Sequence, residues 1–139
     1  MKKYLLIAIL IACLGNSSKA QKIEVKNGTV QVDDKDFLSY ATANYSYELT
    51  IYKLNTKSEL IFVLYNDNQT RSYKQDDYYK IVFLGLNLKM ETHNYESTWK
   101  PTIKWFIKNN LFTPGGELNE AGVKIFIEKY NENITTKNN

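Results

Sequence analysis

Few residues of this chain could carry acid–base or metal chemistry, and His93 is the only histidine among its 139 residues. Glu91 and His93 stand two residues apart, a spacing that superficially resembles an acid–base or metal-binding pair. A triad or a histidine-rich metal site needs partners that one imidazole does not have. We therefore interpret His93 as a surface residue in the turn between the last strand and the first helix, and we assign no catalytic residue.

Two groups of aspartates are the remaining candidates for polar chemistry. Asp76 and Asp77 are adjacent and could act as paired carboxylates, which catalyse glycoside hydrolysis when a cleft sets them apart. The second group could offer oxygen ligands to calcium, but it lacks the spacing and the distal glutamate of a calcium loop; it consists of Asp33, Asp34 and Asp36. Because aspartate favours turns, we interpret both groups as turn residues and predict no metal and no cofactor.

Aromatic residues are the unusual feature of the composition, with eleven tyrosines and two tryptophans. Six tyrosines of the strand region could form a patch that binds a glycan, a peptide or a partner protein; they are Tyr45, Tyr47, Tyr52, Tyr65, Tyr78 and Tyr79. The alternative is packing within a sheet with the hydroxyls at its rim. Trp99 and Trp105 are predicted to flank the core.

Residues 1–20 have the three parts of an export signal. Lys2 and Lys3 precede an apolar run without charges, and Ser18 and Ala20 are small residues at the positions that a signal peptidase inspects. The run is shorter than the roughly 20 residues that a membrane-spanning helix needs. We therefore expect cleavage after Ala20 and a periplasmic or secreted protein.

Cys13 allows a second interpretation of the same segment. Residues 10–13 resemble the site at which bacterial lipoproteins are acylated on cysteine, which would anchor the protein to a membrane. Cleavage after Ala20 would instead leave a mature chain without cysteine, and thus without disulfides or a thiol nucleophile.

Removal of the signal would bring the formal net charge of the chain from +3 to zero. The full sequence has 18 basic and 15 acidic residues, and residues 1–20 contain three of the lysines and no acid. The mature chain then has 15 residues of each sign. This balance gives no support for nucleic-acid binding, which requires a concentrated positive surface.

The elements that must position these residues are strands first and helices afterwards. Alternating polar and apolar residues predict strands from position 21 to about 90, with Asn27 and Gly28 as a hairpin turn. Residues 37–40 are predicted as a weak strand or loop, and residues 78–90 as one long strand that bends at Gly85.

After Glu91 the apolar period changes to that of helices. Ser97 or Thr98 is predicted to cap the first helix and Asn119 the second. We therefore predict an α+β fold: an antiparallel meander of about five strands, followed by two C-terminal helices packed on one face. The domain is expected to span residues 21–131, before a frayed polar tail at 132–139.

Two segments resemble small exported proteins of unknown function from Gram-negative bacteria. They are residues 21–28, at the start of the mature chain, and the helical segment that ends with Glu128, Lys129 and Tyr130. The resemblance extends over most of the chain, but it rests on no functional motif. It implies export and no particular substrate or site residue.

Three functions remain open at this stage. The first is a non-enzymatic exported protein that acts through contacts with a protein or an envelope component. The second is a binder of a small ligand or glycan, and the third is a hydrolase that uses acidic residues. A filled core with an exposed tyrosine-rich surface would favour the first. An apolar cavity would favour the second, and a deep pocket with Asp76, Asp77, Glu91 or His93 would favour the third.

Overall fold

The computed structural model describes residues 20–70, 72–94 and 98–137. Within these ranges seven strands form one sheet: β1 (Ile23–Lys26), β2 (Thr29–Val32), β3 (Lys35–Ala43), β4 (Glu48–Lys53), β5 (Glu59–Asn66), β6 (Tyr78–Phe83) and β7 (Leu88–Thr92). Three helices follow: α1 (Trp99–Lys108), α2 (Glu120–Tyr130) and the short α3 (Ile134–Lys137). The signal segment at 1–19, with Cys13, and the cap candidate Ser97 lie outside the described residues.

The sheet confirms the predicted α+β class and the antiparallel meander. Its spatial order is the sequence order, β1 to β7, and every neighbouring pair is antiparallel. The β1–β2 turn is made by Asn27 and Gly28, both with positive φ, as the Asn-Gly signal predicts. Because consecutive strands are antiparallel neighbours, each connection returns at the same end of the sheet and the chain needs no crossover.

The prediction of about five strands is too low, and β3 is the first reason. Residues 37–40 lie inside this nine-residue strand, which pairs with β4 over six positions. Leu38 is completely buried. Ser39 and Ala41, on the other face of the strand, are small and do not form a clearly polar face opposite the apolar one. This weak alternation hides the strand in the sequence.

The second reason is the segment 78–90, which is a hairpin and not one strand. The chain reverses between Phe83 and Leu88, where Gly85 and Asn87 take positive φ. The reversal changes the faces of the following residues. Met90 pairs with Ile81 on the buried face, whereas Val82 lies on the other face opposite Lys89. A single strand would place Val82 and Met90 on the same face, so the prediction of one long strand over residues 78–90 is wrong.

The core lies between one face of the sheet and helices α1 and α2. Four buried residues stand opposite one another on successive strands; they are Leu49, Val63, Ile81 and Met90. Phe83 meets Phe126 of α2 at a ring distance of 6.4 Å, and Tyr79 stacks on Trp99 of α1 at 5.2 Å. These contacts place both helices on the same face, as the fold prediction requires.

Both helices begin at the predicted positions, but the predicted capping hydrogen bonds are not formed. Helix α1 starts after Thr98 and α2 after Asn119, but neither side chain bonds to the N–H groups of its own helix. Asn119 Nδ2 instead donates to the carbonyl oxygen of Asn110 at 3.0 Å. That oxygen would lie 2.2 Å from a Cβ at position 122, which is why Gly122 occupies the first turn of α2.

The opposite face of the sheet is less covered. A row across its centre combines polar and apolar side chains that are all partly or fully exposed: Thr50, Phe62, Val82 and Lys89. In the described residues no helix has the length and apolar character needed to cross a bilayer.

Candidate functional site

Aromatic rings form a ladder across the helix-covered face near one end of the sheet. Tyr47 and Tyr65 have ring centroids 5.4 Å apart, and Tyr65 and Tyr79 are 6.0 Å apart. Trp99 completes the ladder by stacking on Tyr79. The Tyr79 hydroxyl also lies 3.4 Å from Thr102 Oγ1 in the buried interior. The ladder therefore begins in the core and ends at the partly exposed ring of Tyr47.

Two carboxylates accept hydrogen bonds from tyrosine hydroxyl groups of this ladder. Tyr65 donates to Asp77 Oδ2, and Tyr47 donates to Asp67 Oδ2 at 2.9 Å. Because Asp67 and Asp77 both belong to the β5–β6 connection, these bonds fix that loop onto the sheet. Hydrogen bonds to a carboxylate are stronger than those between neutral groups.

The turn from β3 to β4 has an unusual backbone. Three consecutive residues take left-handed conformations, namely Asn44 (φ 49°), Tyr45 (φ 55°) and Ser46 (φ 69°). The Tyr47 N–H closes the turn on the carbonyl oxygen of Asn44 at 3.0 Å, and the Asn44 amide donates to the Glu48 carboxylate. A bulky residue at positive φ is a genuine outlier, and such strain often occurs at functional sites.

Tyr45 occupies the middle of this turn and is fully exposed, at 101 % of its reference area. Its ring therefore contributes nothing to the core. A left-handed conformation costs an ordinary residue about 1–2 kcal/mol. Neither burial nor backbone preference accounts for a tyrosine at this position.

The β5–β6 loop lies at the same end of the sheet and is held by its own side chains. Thr70 Oγ1 donates to the Asp76 carboxylate at 2.9 Å, and Asn68 Nδ2 donates to the Asp76 carbonyl oxygen at 3.0 Å. Tyr73 projects from the loop with 54 % of its surface exposed. We call residues 44–47, 65–70 and 72–79 the tyrosine-rich end.

Four of the six tyrosines proposed from the sequence belong to one structural group. Tyr47, Tyr65 and Tyr79 form the ladder, and Tyr45 precedes it at the turn. Tyr78 lies on the opposite face, where its hydroxyl accepts from Asn66 Nδ2 at 2.8 Å. Tyr52 lies near the other end of β4. The six tyrosines therefore do not share one flat patch.

Sequence reasoning missed Tyr73 and the left-handed turn. The alternation at 45–54 places Tyr45 inside a strand, but β4 starts only at Glu48. Asn44 was the available signal, because asparagine tolerates left-handed backbone better than other non-glycine residues.

Asp76 and Asp77 are adjacent, but they accept hydrogen bonds from different partners. Asp76 is engaged by Thr70, whereas Asp77 is 3 % exposed and accepts from Tyr65. Both residues stabilise the loop, as their interpretation as turn residues expects.

Glu91 and His93 are bound to the C-terminal segment. The Glu91 carboxylate accepts from the N–H and hydroxyl of Thr135, at 2.7 and 2.8 Å. The His93 N–H donates to the Glu132 carboxylate, and its ring Nδ1 lies 3.1 Å from the same group. These bonds attach residues 131–137, which include α3, to β7. Glu91 and His93 thus act as anchors for this segment.

The pKa of Glu132 is lower than its ordinary value. Partial burial disfavours the ionised form, but hydrogen bonds from the His93 backbone and ring, together with Thr92, outweigh that effect. A lowered pKa in the folded state stabilises the attachment above the ordinary value of 4.5, and this contribution is lost as the pH falls through the folded pKa.

We therefore expect protection of the His93 amide against hydrogen exchange to fall as the pH is lowered below 4.5. The measurement is the protection factor of that amide across this range in the wild type and in Glu132→Gln. The variant keeps an acceptor oxygen but cannot titrate, so its protection should not follow the same pH dependence. Equal behaviour of the two proteins would contradict the assignment.

The three residues of the second aspartate group, Asp33, Asp34 and Asp36, each bond to a different atom or side chain. Asp33 Oδ1 accepts from the Lys22 N–H at 3.0 Å, and Asp34 pairs with the Lys22 ammonium at 2.6 Å. Asp36 accepts from Gln31 Nε2 at 2.7 Å. In the described part of the chain, no group of three or more histidine, cysteine or acidic residues could hold a metal ion.

An open groove of about 790 Å³ lies beside the β2–β3 hairpin. Phe37 and Phe112 meet edge to face in its wall at 6.2 Å, and polar residues such as Lys35, Asn110 and Asn119 surround them. Its volume falls within the range of about 300–1,000 Å³ that is usual for small-ligand sites.

Comparisons with known proteins give no further guide to this site. No protein-family model, no curated protein and no solved structure matches the chain.

Proposed function

We propose that this chain is an exported, non-enzymatic binding protein that recognises a partner protein through its tyrosine-rich end. The observation that carries the proposal is the fully exposed ring of Tyr45 on three consecutive left-handed residues. A strained backbone conformation persists only where the surrounding structure imposes it, and it is common at functional sites. Binding through the exposed ring would explain why a tyrosine occupies this strained position.

The residue types of the two loops support protein recognition. Residues 44–47 and 66–78 consist mainly of tyrosine, asparagine, serine, threonine, glutamine and aspartate. Tyrosine offers a large rigid contact at a low entropic cost, and small polar residues provide adaptable hydrogen bonds, as in antibody loops. Tyrosine is also enriched among the residues that dominate the free energy of protein association.

The site is organised before a partner arrives. The Tyr47–Asp67 bond joins the β3–β4 turn to the β5–β6 loop, and the ladder below connects both to the core. A surface that is already ordered loses little entropy on binding. Tyr45 can therefore act as an anchor that enters an apolar pocket of the partner.

The charges of the tyrosine-rich end define the chemistry of that pocket. Among the described residues of the two loops and the adjoining Glu48, the partly or fully exposed acids are Glu48, Asp67 and Asp76, against the exposed base Lys74. A complementary partner has lysine or arginine at the rim of its pocket.

Export is part of the proposal and rests on residues 1–20. We propose cleavage after Ala20 and action in the periplasm or outside the cell, with acylation at Cys13 as the alternative. The intact mass of the native protein distinguishes a chain that begins at Gln21 from one acylated at Cys13.

Site-specific photo-crosslinking in the native host tests the proposal. A photo-reactive phenylalanine analogue replaces Tyr45, and the matched control carries it at Ile125, an apolar residue on α2 that is 64 % exposed. We expect a discrete crosslinked protein from position 45 and none of that species from position 125.

Loss of the crosslink in a Tyr73→Ala background would support a shared binding surface. Equal yields of the same product from both positions, or no product from position 45, would contradict the proposal. The captured protein is then purified for the affinity measurements described below.

A further inference from the structure

A second surface of the molecule carries a concentration of positive charge. Helix α1 contains three lysines spaced four residues apart and no acidic residue. Residues four positions apart are neighbours on one side of a helix, so Lys100, Lys104 and Lys108 form a continuous stripe.

Trp105 lies beside this stripe. Its side chain, Pro101 and the three lysines line a cleft of about 360 Å³. The Trp105 ring also meets Tyr130 of α2 at a centroid distance of 4.8 Å, and Lys129 Nζ lies 5.0 Å from the Tyr130 ring. Lysines on two helices therefore surround one aromatic pair, Trp105 and Tyr130.

The lysines of this surface are available to a ligand. Among the described residues, ion pairs engage Lys22, Lys53 and Lys124, and no described acid pairs with the lysines of the α1 stripe or with Lys129. The mature chain has no net charge, so the surface is a local positive field on a neutral molecule.

We propose that the Trp105 cleft binds an acidic sugar polymer. The apolar face of a sugar ring packs on the indole, and its carboxylate groups form charge-assisted hydrogen bonds with the lysines. The four-residue spacing of the lysines gives successive acid groups of a polymer separate partners. The surface is distinct from the tyrosine-rich end and does not depend on the function proposed for it.

The structure favours a sugar polymer over an anionic membrane. A helix that lies in a membrane interface inserts an exposed apolar face between the lipids. The apolar face of α1 is buried in the protein core, where Ile103 and Phe106 have no exposed surface. The apolar side chains that remain beside the lysines in the cleft are the partly buried Trp105 and the exposed Pro101, a surface suited to one sugar ring.

Titration of the native protein tests this inference. The probe is a size-defined oligogalacturonate, and the comparison probes are neutral maltohexaose, polyphosphate and phosphatidylglycerol vesicles. We expect oligogalacturonate to bind, to change the tryptophan fluorescence and to weaken with added salt. In the double variant Lys104→Gln/Lys108→Gln the dissociation constant should rise about tenfold.

The matched control is Lys57→Gln/Lys89→Gln, which removes the same charge at two exposed positions, one in the β4–β5 turn and one on the sheet face opposite the helices. Its affinity should equal that of the wild type. The inference is overturned if oligogalacturonate does not bind, or if both double variants lose affinity equally. It is also overturned if polyphosphate or the vesicles bind as tightly and depend on the same lysines.

Discussion

Replacement of Phe126 by alanine should lower the free energy of unfolding by about 3–5 kcal/mol. Phe126 is 1 % exposed, and its ring lies within 6.4 Å of Phe83, Trp105, Phe106 and Tyr130. The variant leaves a cavity at the point where both helices meet the sheet. Because a domain of this size has a total stability of roughly 5–15 kcal/mol, much of it would be lost. Urea denaturation gives the value.

The neighbouring Ile125 provides the control for this experiment. It belongs to the same helix but is 64 % exposed, so Ile125→Ala should change stability by no more than about 0.5 kcal/mol. Similar losses for both variants would show that Phe126 does not join the helices to the sheet.

Replacement of Tyr45 by glycine should raise the stability of the protein and weaken its binding to the partner. Glycine adopts positive φ without the strain of a side chain, which relieves about 1–2 kcal/mol, and its greater freedom in the unfolded chain offsets part of this gain. We expect a net stabilisation of about 0.5–1 kcal/mol by urea denaturation. The same change removes the anchoring ring and should cost about 2 kcal/mol of binding, roughly thirtyfold in dissociation constant.

Two further variants distinguish the ring from the backbone. Tyr45→Ala removes the ring but keeps a Cβ at positive φ, so binding should weaken without the gain in stability. Asn55→Gly changes another left-handed residue (φ 57°) in the exposed β4–β5 turn at the opposite end of the sheet. Since asparagine tolerates this conformation, the change should have little effect on the free energy of unfolding or on the dissociation constant.

Much of the fold follows from local patterns in the sequence. Asn27 and Gly28 specify a hairpin because both tolerate positive φ, and the apolar spacing of Ile103, Phe106 and Ile107 specifies the buried side of α1. Polar residues around the helices mark their ends, although neither Thr98 nor Asn119 caps its own helix through its side chain. These signals depend on residues close in sequence, which is why they can be read without a structure.

The remaining features depend on contacts between distant residues. Apolar residues continue from Val82 to Met90 through the β6–β7 turn, so alternation alone cannot show that the chain reverses there. The pairing of Tyr47 with Asp67 and of Tyr65 with Asp77 arises only when neighbouring strands are in register. The exposed position of Tyr45 is determined by the backbone of a turn, and its residue type suggests a strand.

The dissociation constant of the partner captured from position 45 is the most direct test of the central claim. It should be measured with the wild type, Tyr45→Gly and Asn55→Gly under identical conditions. Recognition through Tyr45 predicts a roughly thirtyfold loss of affinity for Tyr45→Gly, with Asn55→Gly equal to the wild type. Equal affinities of all three proteins would show that the strained, exposed tyrosine is not the binding anchor.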